Sequence, residues 1–137
     1  MQRKRTLDPS EHAIQAAFIE WVSRVENLPQ YHALRLSFAV PNGARVGIGQ
    51  ARKLVAEGVR AGVPDWWLPV VMPIRGERWT GLEYKGLAIE FKTRLGRLSK
   101  AQSNYRVLLE SAGWRVDLCR STEGAIACVN YYLGVKP

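Results

Sequence analysis

The sequence predicts a single α/β domain in which helices cover both faces of a mixed sheet. Helical and strand-like hydrophobic patterns alternate along the chain in the order helix, strand, helix, two strands, helix, strand, helix. That alternation, without repeats or low-complexity segments, is typical of three-layer architectures. The length of 137 residues suits one domain with its own core. We therefore expect residues 1–137 to form one domain, with residues 1–7 as a basic, flexible N-terminal segment.

The first helix is expected to begin at Asp8 and to end near Val25. Asp8 has the character of an N-cap, Pro9 stands at the first helical position, and Glu11 follows the cap by three residues, as in a capping box. On a helical wheel Glu11 falls within the apolar stripe, whereas Glu20 lies on the opposite side. Two interpretations of Glu11 are open, a capping residue alone or an inward acid with a function. The stripe consists of Ile14, Phe18, Trp21, Val22 and Val25.

A strand and a second helix are predicted next. Residues 34–40 alternate apolar and polar side chains as in a half-buried strand, and Pro41 begins the turn that ends it. The second helix is expected at residues 49–57, followed by Gly58 as its C-terminal glycine. Its inward side chains are predicted to be Ala51, Leu54 and Val55.

Two strands that contain acidic residues follow. The first is expected at residues 65–71 and begins with Asp65, and the second is expected at residues 87–92. The segment 72–84 between them is predicted to form an extended hairpin, because a long structureless loop is uncommon in so small a domain.

The C-terminal part of the chain is predicted to form a helix, a strand and a helix. Ser99 should cap the first of these helices with Gln102 at the capping-box position, and Gly113 should end it. Its inner face is expected to contain Tyr105, Leu108 and Leu109. The last strand is expected at residues 114–118, and the last helix at residues 121–133.

The Leu87 strand carries charged residues where a core is expected. Its period of two places Glu90 and Lys92 on the same face of the sheet, one pleat apart. A hard divalent cation explains buried carboxylates, because Mg²⁺ binds one or two of them and leaves phosphate oxygens to complete its coordination. Asp65, Glu90 and Lys92 thus indicate phosphodiester cleavage. The alternative is the solvated face of an antiparallel sheet, which also alternates charged and apolar residues.

The charge of the chain favours a polyanionic partner. The formal net charge is +8, and such an excess promotes binding to nucleic acid through counterion release. Basic residues cluster near the proposed site, although each can equally belong to a solvated surface. Cys119 and Cys128 lack the spacing of a metal site and are expected to be reduced core residues. With no apolar run of membrane-spanning length and no secretory signal, a cytoplasmic location is expected.

The motifs and their order resemble the PD-(D/E)XK nuclease fold, and within it a stand-alone VRR-NUC domain, a module of phage and bacterial nucleases. Each fragment is short, and their joint order makes the resemblance specific. The matching fragments are EHAIQ at 11–15, PNGAR at 41–45, GVRAGVPD at 58–65, IEFK at 89–92, LSKAQ at 98–102 and GW at 113–114. The 72–84 segment is longer than a minimal domain of this kind requires.

The resemblance implies a role for each matching site residue. Asp65, Glu90 and the backbone carbonyl of Phe91 would bind Mg²⁺ or Mn²⁺, and Glu11 would contact the metal directly or through water. Lys92 would orient or activate the attacking water. Gln102 would support the lysine or the nearby phosphate, a role compatible with capping the third helix. The candidates for contacts with DNA phosphates are Asn42, Arg45, Arg52, Arg94, Arg97 and Lys100.

The resemblance further implies a metal-dependent, structure-selective DNA endonuclease that acts on branched or four-way (Holliday) junctions as a homodimer in repair or phage DNA processing. Paired cuts in a symmetric junction need two copies of one site, and a two-fold dimer matches that symmetry. The alternative is a DNA-binding module of a phage or repair assembly whose nuclease site is weak or partner-activated. A sequence-reading restriction nuclease is disfavoured, because the chain has no room for a recognition region. The aromatic candidates for the dimer surface are Trp66, Trp67, Trp79 and Tyr84, with Trp66 and Trp67 favoured as core.

Overall fold

The structure is a computed structural model that describes residues 7–41, 47–75 and 81–136. The helices of these ranges are α1 (Glu11–Val25), α2 (Ile48–Ala56), α3 (Lys100–Ser111) and α4 (Thr122–Leu133), with a 3₁₀ helix at Pro29–Leu36. The strands are β1 (Phe38–Ala39), β2 (Trp66–Leu68), β3 (Met72–Pro73), β4 (Glu83–Tyr84), β5 (Leu87–Phe91) and β6 (Arg115–Cys119).

The main sheet has the strand order β1-β2-β5-β6 and is mixed, because β5 and β6 are parallel whereas β1, β2 and β5 pair antiparallel. The apolar side chains of α1 and α4 pack on one face, in a core that contains Phe18, Val129 and Phe91. On the other face, Leu109 of α3 packs in a second cluster with Ala88. The predicted three-layer α/β architecture is confirmed.

The region predicted as a strand at residues 34–40 differs from the prediction. A 3₁₀ helix occupies Pro29–Leu36, and only Phe38–Ala39 is strand. Tertiary packing explains the difference, because Leu34 is fully buried and the Tyr31 hydroxyl donates a hydrogen bond to Asn130 Oδ1 of α4 at 2.7 Å. The Ser37 hydroxyl also donates to the Leu34 carbonyl at 2.6 Å, a local bond that competes with strand pairing.

Two further predictions need correction in the first half of the chain. Val55 of α2 was predicted to face inward and is exposed, because α2 contributes no buried residue to the core. The predicted strand at 65–71 is confined to Trp66–Leu68. Pro69 has no backbone N–H with which to extend the ladder, and the Val70 N–H turns back to the Leu68 carbonyl at 2.9 Å.

The remaining predictions agree better with the structure. β3 and β4 pair antiparallel, as predicted for the 72–84 hairpin, whose residues 76–80 lie outside the described ranges. Ser99 and Gln102 form the predicted capping box of α3. Leu108 is 68% exposed, contrary to prediction, because the inward face of α3 is occupied by Leu109 and residues one turn away.

The aromatic and cysteine predictions have mixed outcomes. Trp66 is core as favoured, and Trp67 and Tyr84 are partly buried against the two clusters, whereas Trp79 lies outside the described residues. Cys119 and Cys128 are both free thiols on the core side of β6 and α4, as expected. Within the described part of the chain, every helix is too short or too polar to cross a bilayer.

Candidate metal-dependent nuclease site

The register between β2 and β5 places two acids opposite each other. Trp66 pairs with Ile89 and Trp67 pairs with Ala88 in this antiparallel ladder. One residue further along, Asp65 therefore faces Glu90, and both lie on the same side of the sheet as Ala88, under α3. They are the buried acids of the described residues, with exposed fractions of 8% and 4%. The Asp65 carboxylate accepts a hydrogen bond from the Phe91 backbone N–H at 2.8 Å.

A tight turn before β2 brings Asp65 to this position. Gly62 has a positive φ of 84°, and a side chain there would collide with the backbone of Ala101 in the first turn of α3. Trp67 Nε1 donates to the Pro64 carbonyl at 3.0 Å, which fixes the last step of the turn. The sequence Gly62 to Asp65 thus docks the start of β2 against the start of α3.

Gln102 connects the cap of α3 to Glu90. Its side-chain carbonyl accepts the backbone N–H of Ser99 at 2.8 Å, and its amide nitrogen donates to Glu90 Oε1 at 2.8 Å. The Ser99 hydroxyl in turn accepts the Gln102 backbone N–H at 3.1 Å. Gln102 is thus confirmed as the capping-box residue, and the same side chain contacts Glu90 rather than the predicted Lys92. Its role in a site stays a prediction.

Glu11 lies beside Lys92 rather than in a capping box. Ser10, not Asp8, is the N-cap of α1, because its hydroxyl accepts the Ala13 backbone N–H at 3.1 Å. Glu11 therefore occupies the first helical position, from which it cannot serve as the capping-box glutamate of Asp8. Its carboxylate lies 3.9 Å from Lys92 Nζ, with side-chain exposures of 12% for Lys92 and 45% for Glu11.

The electrostatics of the site are set by the two adjacent acids. Burial, the charge of Asp65 and a hydrogen bond with it raise the pKa of Glu90 from 4.5 to about 8, while Lys92 partly opposes the rise. Without a compensating cation, two neighbouring carboxylates in a buried place cannot both be charged at low cost. This part of the molecule therefore favours a bound proton or a bound cation.

The donor set fits a hard divalent ion. Asp65 and Glu90 offer carboxylate oxygens, which Mg²⁺ and Mn²⁺ prefer, and two carboxylates are what such a site uses when phosphate and water complete the coordination. No three His, Cys, Asp or Glu side chains group closely enough to enclose a metal ion within residues 7–41, 47–75 and 81–136. The residues thus fit an open two-carboxylate site, not a closed protein cage.

The basic candidates for phosphate contacts lie on different elements of the structure. Arg94 and Arg97 lie exposed in the loop between β5 and α3, and Lys100 is exposed in the first turn of α3. Arg94 Nε forms an exposed ion pair with Asp8 Oδ2 at 3.3 Å. Arg52 is exposed on α2. The neighbouring α2 residues Ala51 and Leu54 line a groove of about 360 Å³ that Gln102 also borders, whereas Arg52 is not part of its wall. Asn42 and Arg45 lie outside the described residues.

Arg120 is a residue of this region that the sequence did not identify. Its guanidinium Nη1 donates to the carbonyls of Thr93 at 2.8 Å, Arg94 at 3.2 Å and Gly96 at 2.6 Å. The parallel pairing of β5 and β6 would have identified Arg120, because the C-terminal ends of both strands then lie at the same edge of the sheet. A basic residue directly after β6 can hence reach the loop directly after β5.

Comparison with known proteins supports the fold. No family model and no curated protein matches this chain. Among solved structures, a protein described as "VRR_NUC domain protein" is similar over 95% of this chain and 93% of its own length, with a TM-score of 0.70 and 21% sequence identity. The expected resemblance to a VRR-NUC domain is confirmed at the level of the fold.

Proposed function

We propose that this protein is a metal-dependent nuclease that hydrolyses phosphodiester bonds in DNA. The observation that carries the proposal is the pair of buried carboxylates, Asp65 and Glu90, side by side at the end of adjacent strands with Lys92 one pleat further along. A purely structural role accounts poorly for this pair, since two adjacent buried acids raise each other's cost of ionisation. The likeness in fold to a VRR_NUC domain protein is in accord with this function.

The metal ligands would be Asp65, Glu90 and the backbone carbonyl of Phe91. In an extended strand the N–H and C=O of one residue point to the same side, and the Phe91 N–H points to the Asp65 carboxylate. Its carbonyl is therefore directed towards the same acid. Glu11 would contact the ion directly or through water. When bound, Mg²⁺ or Mn²⁺ would polarise a phosphoryl oxygen, lower the pKa of water and stabilise the leaving oxygen.

The other residues of the site would position the reacting groups. The Lys92 ammonium would hold the attacking water in line with the phosphorus, and Glu11 would keep the Lys92 side chain extended over the site through their 3.9 Å contact. Gln102 would fix the orientation of the Glu90 carboxylate through its hydrogen bond. Preorganisation of this kind is the main means by which proteins accelerate phosphoryl transfer.

Exposed basic residues around the site would hold the DNA backbone. Arg94, Arg97 and Lys100 follow the strand that contains Glu90 directly in sequence, and Arg52 is exposed on α2, the helix whose Ala51 and Leu54 line the groove beside Gln102. Contacts to phosphates fix the register of a protein on DNA without reading its sequence. Asn42 and Arg45 remain candidates for the same role from sequence alone.

The experiment that tests this proposal compares Asp65→Ala, Glu90→Ala and Lys92→Ala with Glu20→Ala, an exposed acid of α1. Each site variant should lose cleavage of labelled DNA in Mg²⁺ and in Mn²⁺ while retaining its circular dichroism spectrum and most of its DNA binding. Glu20→Ala should cleave like the wild type. A site variant with wild-type cleavage would remove that residue from the mechanism, and metal-independent cleavage would contradict the proposal as a whole.

The substrate is proposed to be branched DNA, such as four-way junctions, cut by a homodimer. Light scattering should then give about twice the chain mass of 15.4 kDa, and a junction should be cut faster than linear duplex of the same sequence. A monomer that cuts both equally would contradict junction resolution and leave the nuclease proposal intact. Tight DNA binding without cleavage in either metal would instead favour the alternative, a DNA-binding module that needs a partner for activity.

A further inference from the structure

The loop between β5 and α3 exposes a leucine between two arginines. Leu95 is 76% exposed, one of the most exposed large apolar side chains of the described residues. Arg94 precedes it, and Arg97 follows two residues later. A single exposed leucine is common on protein surfaces, so the exposure of Leu95 gains meaning only from its position between two arginines in the loop that follows Lys92.

The turn that carries Leu95 is held rigidly. The Gly96 backbone N–H donates to the Thr93 carbonyl at 3.1 Å, which closes the turn. Arg120 Nη1 donates to the carbonyls of Thr93, Arg94 and Gly96, so one guanidinium secures the backbone on both sides of Leu95. The Lys92 backbone N–H also donates to the Cys119 carbonyl at 3.0 Å. The tip is thus a preorganised projection rather than a loose loop.

The projection lies close to the proposed chemistry. Leu95 follows Lys92 by three residues, so their Cα atoms are at most about 10 Å apart. The base stack rises about 3.4 Å per nucleotide along each strand. If Lys92 contacts the phosphate that is cut, Leu95 would therefore lie within about three base steps of that phosphate. Arg94 pairs with Asp8, which precedes α1 and lies three residues before Glu11 in the chain.

We propose that Leu95 is a wedge that inserts into the base stack of double-stranded DNA at a branch point. This inference rests on the proposed nuclease function. Proteins that open a DNA base step commonly insert an apolar side chain such as leucine while basic side chains hold the flanking phosphates. Arg94 and Arg97 provide those cations on both sides of the tip. A branch point is the favoured place, because its bases are already partly unstacked and insertion costs less there.

Leu108 on α3 offers a matched control. It is also a leucine and 68% exposed. The nearest arginine in sequence, Arg106, is bound by Glu110 at 2.6 Å and by the Val116 carbonyl at 3.1 Å, and its side chain is 38% exposed. Arg94 also has an acidic partner, Asp8, but at 3.3 Å and with its side chain 71% exposed, so it stays accessible to phosphate. Removal of either leucine takes the same number of methyl groups from solvent-exposed positions and should leave the fold unchanged.

The test uses four-way-junction DNA with 2-aminopurine at the branch point and an unbranched duplex with the same label, both in Ca²⁺ to suppress cleavage. Wild-type protein and Leu108→Ala should increase the fluorescence of the junction on binding. Leu95→Ala should bind the duplex with unchanged affinity and lose most of the fluorescence increase. In Mg²⁺, Leu95→Ala should also lose most of the preference for junction over duplex in cleavage rate.

Three results would overturn the wedge. The first is an equal fluorescence increase and equal junction preference for Leu95→Ala and wild type. The second is junction binding by the wild type without any fluorescence increase. If the wild type cleaves DNA in Mg²⁺ in these two cases, the wedge is wrong and the nuclease proposal is unaffected. The third is a wild type that neither binds nor cleaves DNA, which removes the nuclease proposal together with the wedge.

Discussion

The amide of Gln102 joins the Glu90 carboxylate at 2.8 Å while its other end closes the cap of α3. One side chain therefore ties the start of a helix to a buried acid of the neighbouring strand. The charged groups that act on Glu90 are Asp65, Lys92 and Glu11, and the hydrogen bond from Gln102 links the orientation of its carboxylate to the start of α3. Loss of the cap should therefore lower the stability of the fold, whereas loss of the contact with Glu90 should in addition lower the cleavage rate.

Gln102→Ala and Ser99→Ala separate these effects. Ser99→Ala removes the cap hydroxyl and should lower the free energy of unfolding by about 1 kcal/mol, with cleavage near the wild-type rate. Gln102→Ala should cost a similar stability and in addition lower kcat about 10- to 100-fold, the usual effect of losing a partner that orients a metal ligand. Urea denaturation and single-turnover cleavage measure the two quantities. Equal kcat for the two variants would assign Gln102 to the cap alone.

The raised pKa of Glu90 predicts how stability depends on pH in metal-free protein. The folded state keeps the proton up to about pH 8, whereas the unfolded state loses it near 4.5. The folded state therefore binds more protons between these values, and the free energy of unfolding should fall as the pH rises through this window. Below it both states are protonated and this contribution is constant. One proton corresponds to a slope of at most about 1.4 kcal/mol per pH unit.

Urea denaturation at a series of pH values in EDTA measures this slope. Glu90→Gln should be less sensitive to pH between 4.5 and 8 than the wild type, because its amide does not ionise. Glu20→Gln, on the exposed side of α1, serves as the control and should retain the wild-type slope. An identical slope in Glu90→Gln and the wild type would show that another group controls the pH dependence.

Local periodicity explains why the acids could be placed from the sequence. Side chains alternate along a strand regardless of what surrounds it, so the shared face of Glu90 and Lys92 followed from their spacing. The 3₁₀ helix at Pro29–Leu36 could not be predicted from local spacing, because the contact of Tyr31 with Asn130 joins residues far apart in the chain. The hydrogen bonds of Arg120 are equally non-local.

The cap of α1 is a second case in which the prediction was wrong, because Asp8 was expected as the N-cap and Ser10 occupies that position. Asp8 and Ser10 are both good N-cap residues, and the preference for Ser10 frees Asp8 to pair with Arg94. The same shift of two residues removes Glu11 from the capping box and leaves it beside Lys92. Its position beside Lys92, rather than its spacing from Asp8, is the reason to propose it as a residue of the site.

Glu11→Gln should lower the cleavage rate about tenfold or more, because it removes the charge that holds the Lys92 side chain. Glu20→Gln is the matched control on the exposed side of the same helix and should have no effect. The stability change of Glu11→Gln should stay below about 1 kcal/mol, since the contact is long at 3.9 Å and the Glu11 side chain is 45% exposed to solvent. Cleavage and thermal unfolding of both variants test the prediction, and equal rates would leave Glu11 without a role in the reaction.

Arg120→Ala should loosen the turn at Thr93–Gly96 and thereby impair both Lys92 and Leu95. Three carbonyls lose the Arg120 donor at once, and among the described residues only the Gly96 N–H contact with the Thr93 carbonyl then closes the turn, so hydrogen exchange of the Lys92 and Gly96 amides should become faster. The expected kinetic result is a lower kcat and a weaker preference for junctions, with a smaller change in KM, because the residue positions the loop rather than the whole DNA.

Arg24→Ala is the control for the loss of charge. Arg24 is exposed on α1, and its substitution by alanine removes one positive charge, as Arg120→Ala does. A general electrostatic role would make both variants bind DNA more weakly and reduce the salt dependence of binding alike. Only Arg120→Ala should change amide exchange in the loop and the ratio of junction to duplex cleavage. If Arg24→Ala and Arg120→Ala gave the same kcat and the same ratio, Arg120 would contribute only its charge, and the rigid turn would have no part in selecting the substrate.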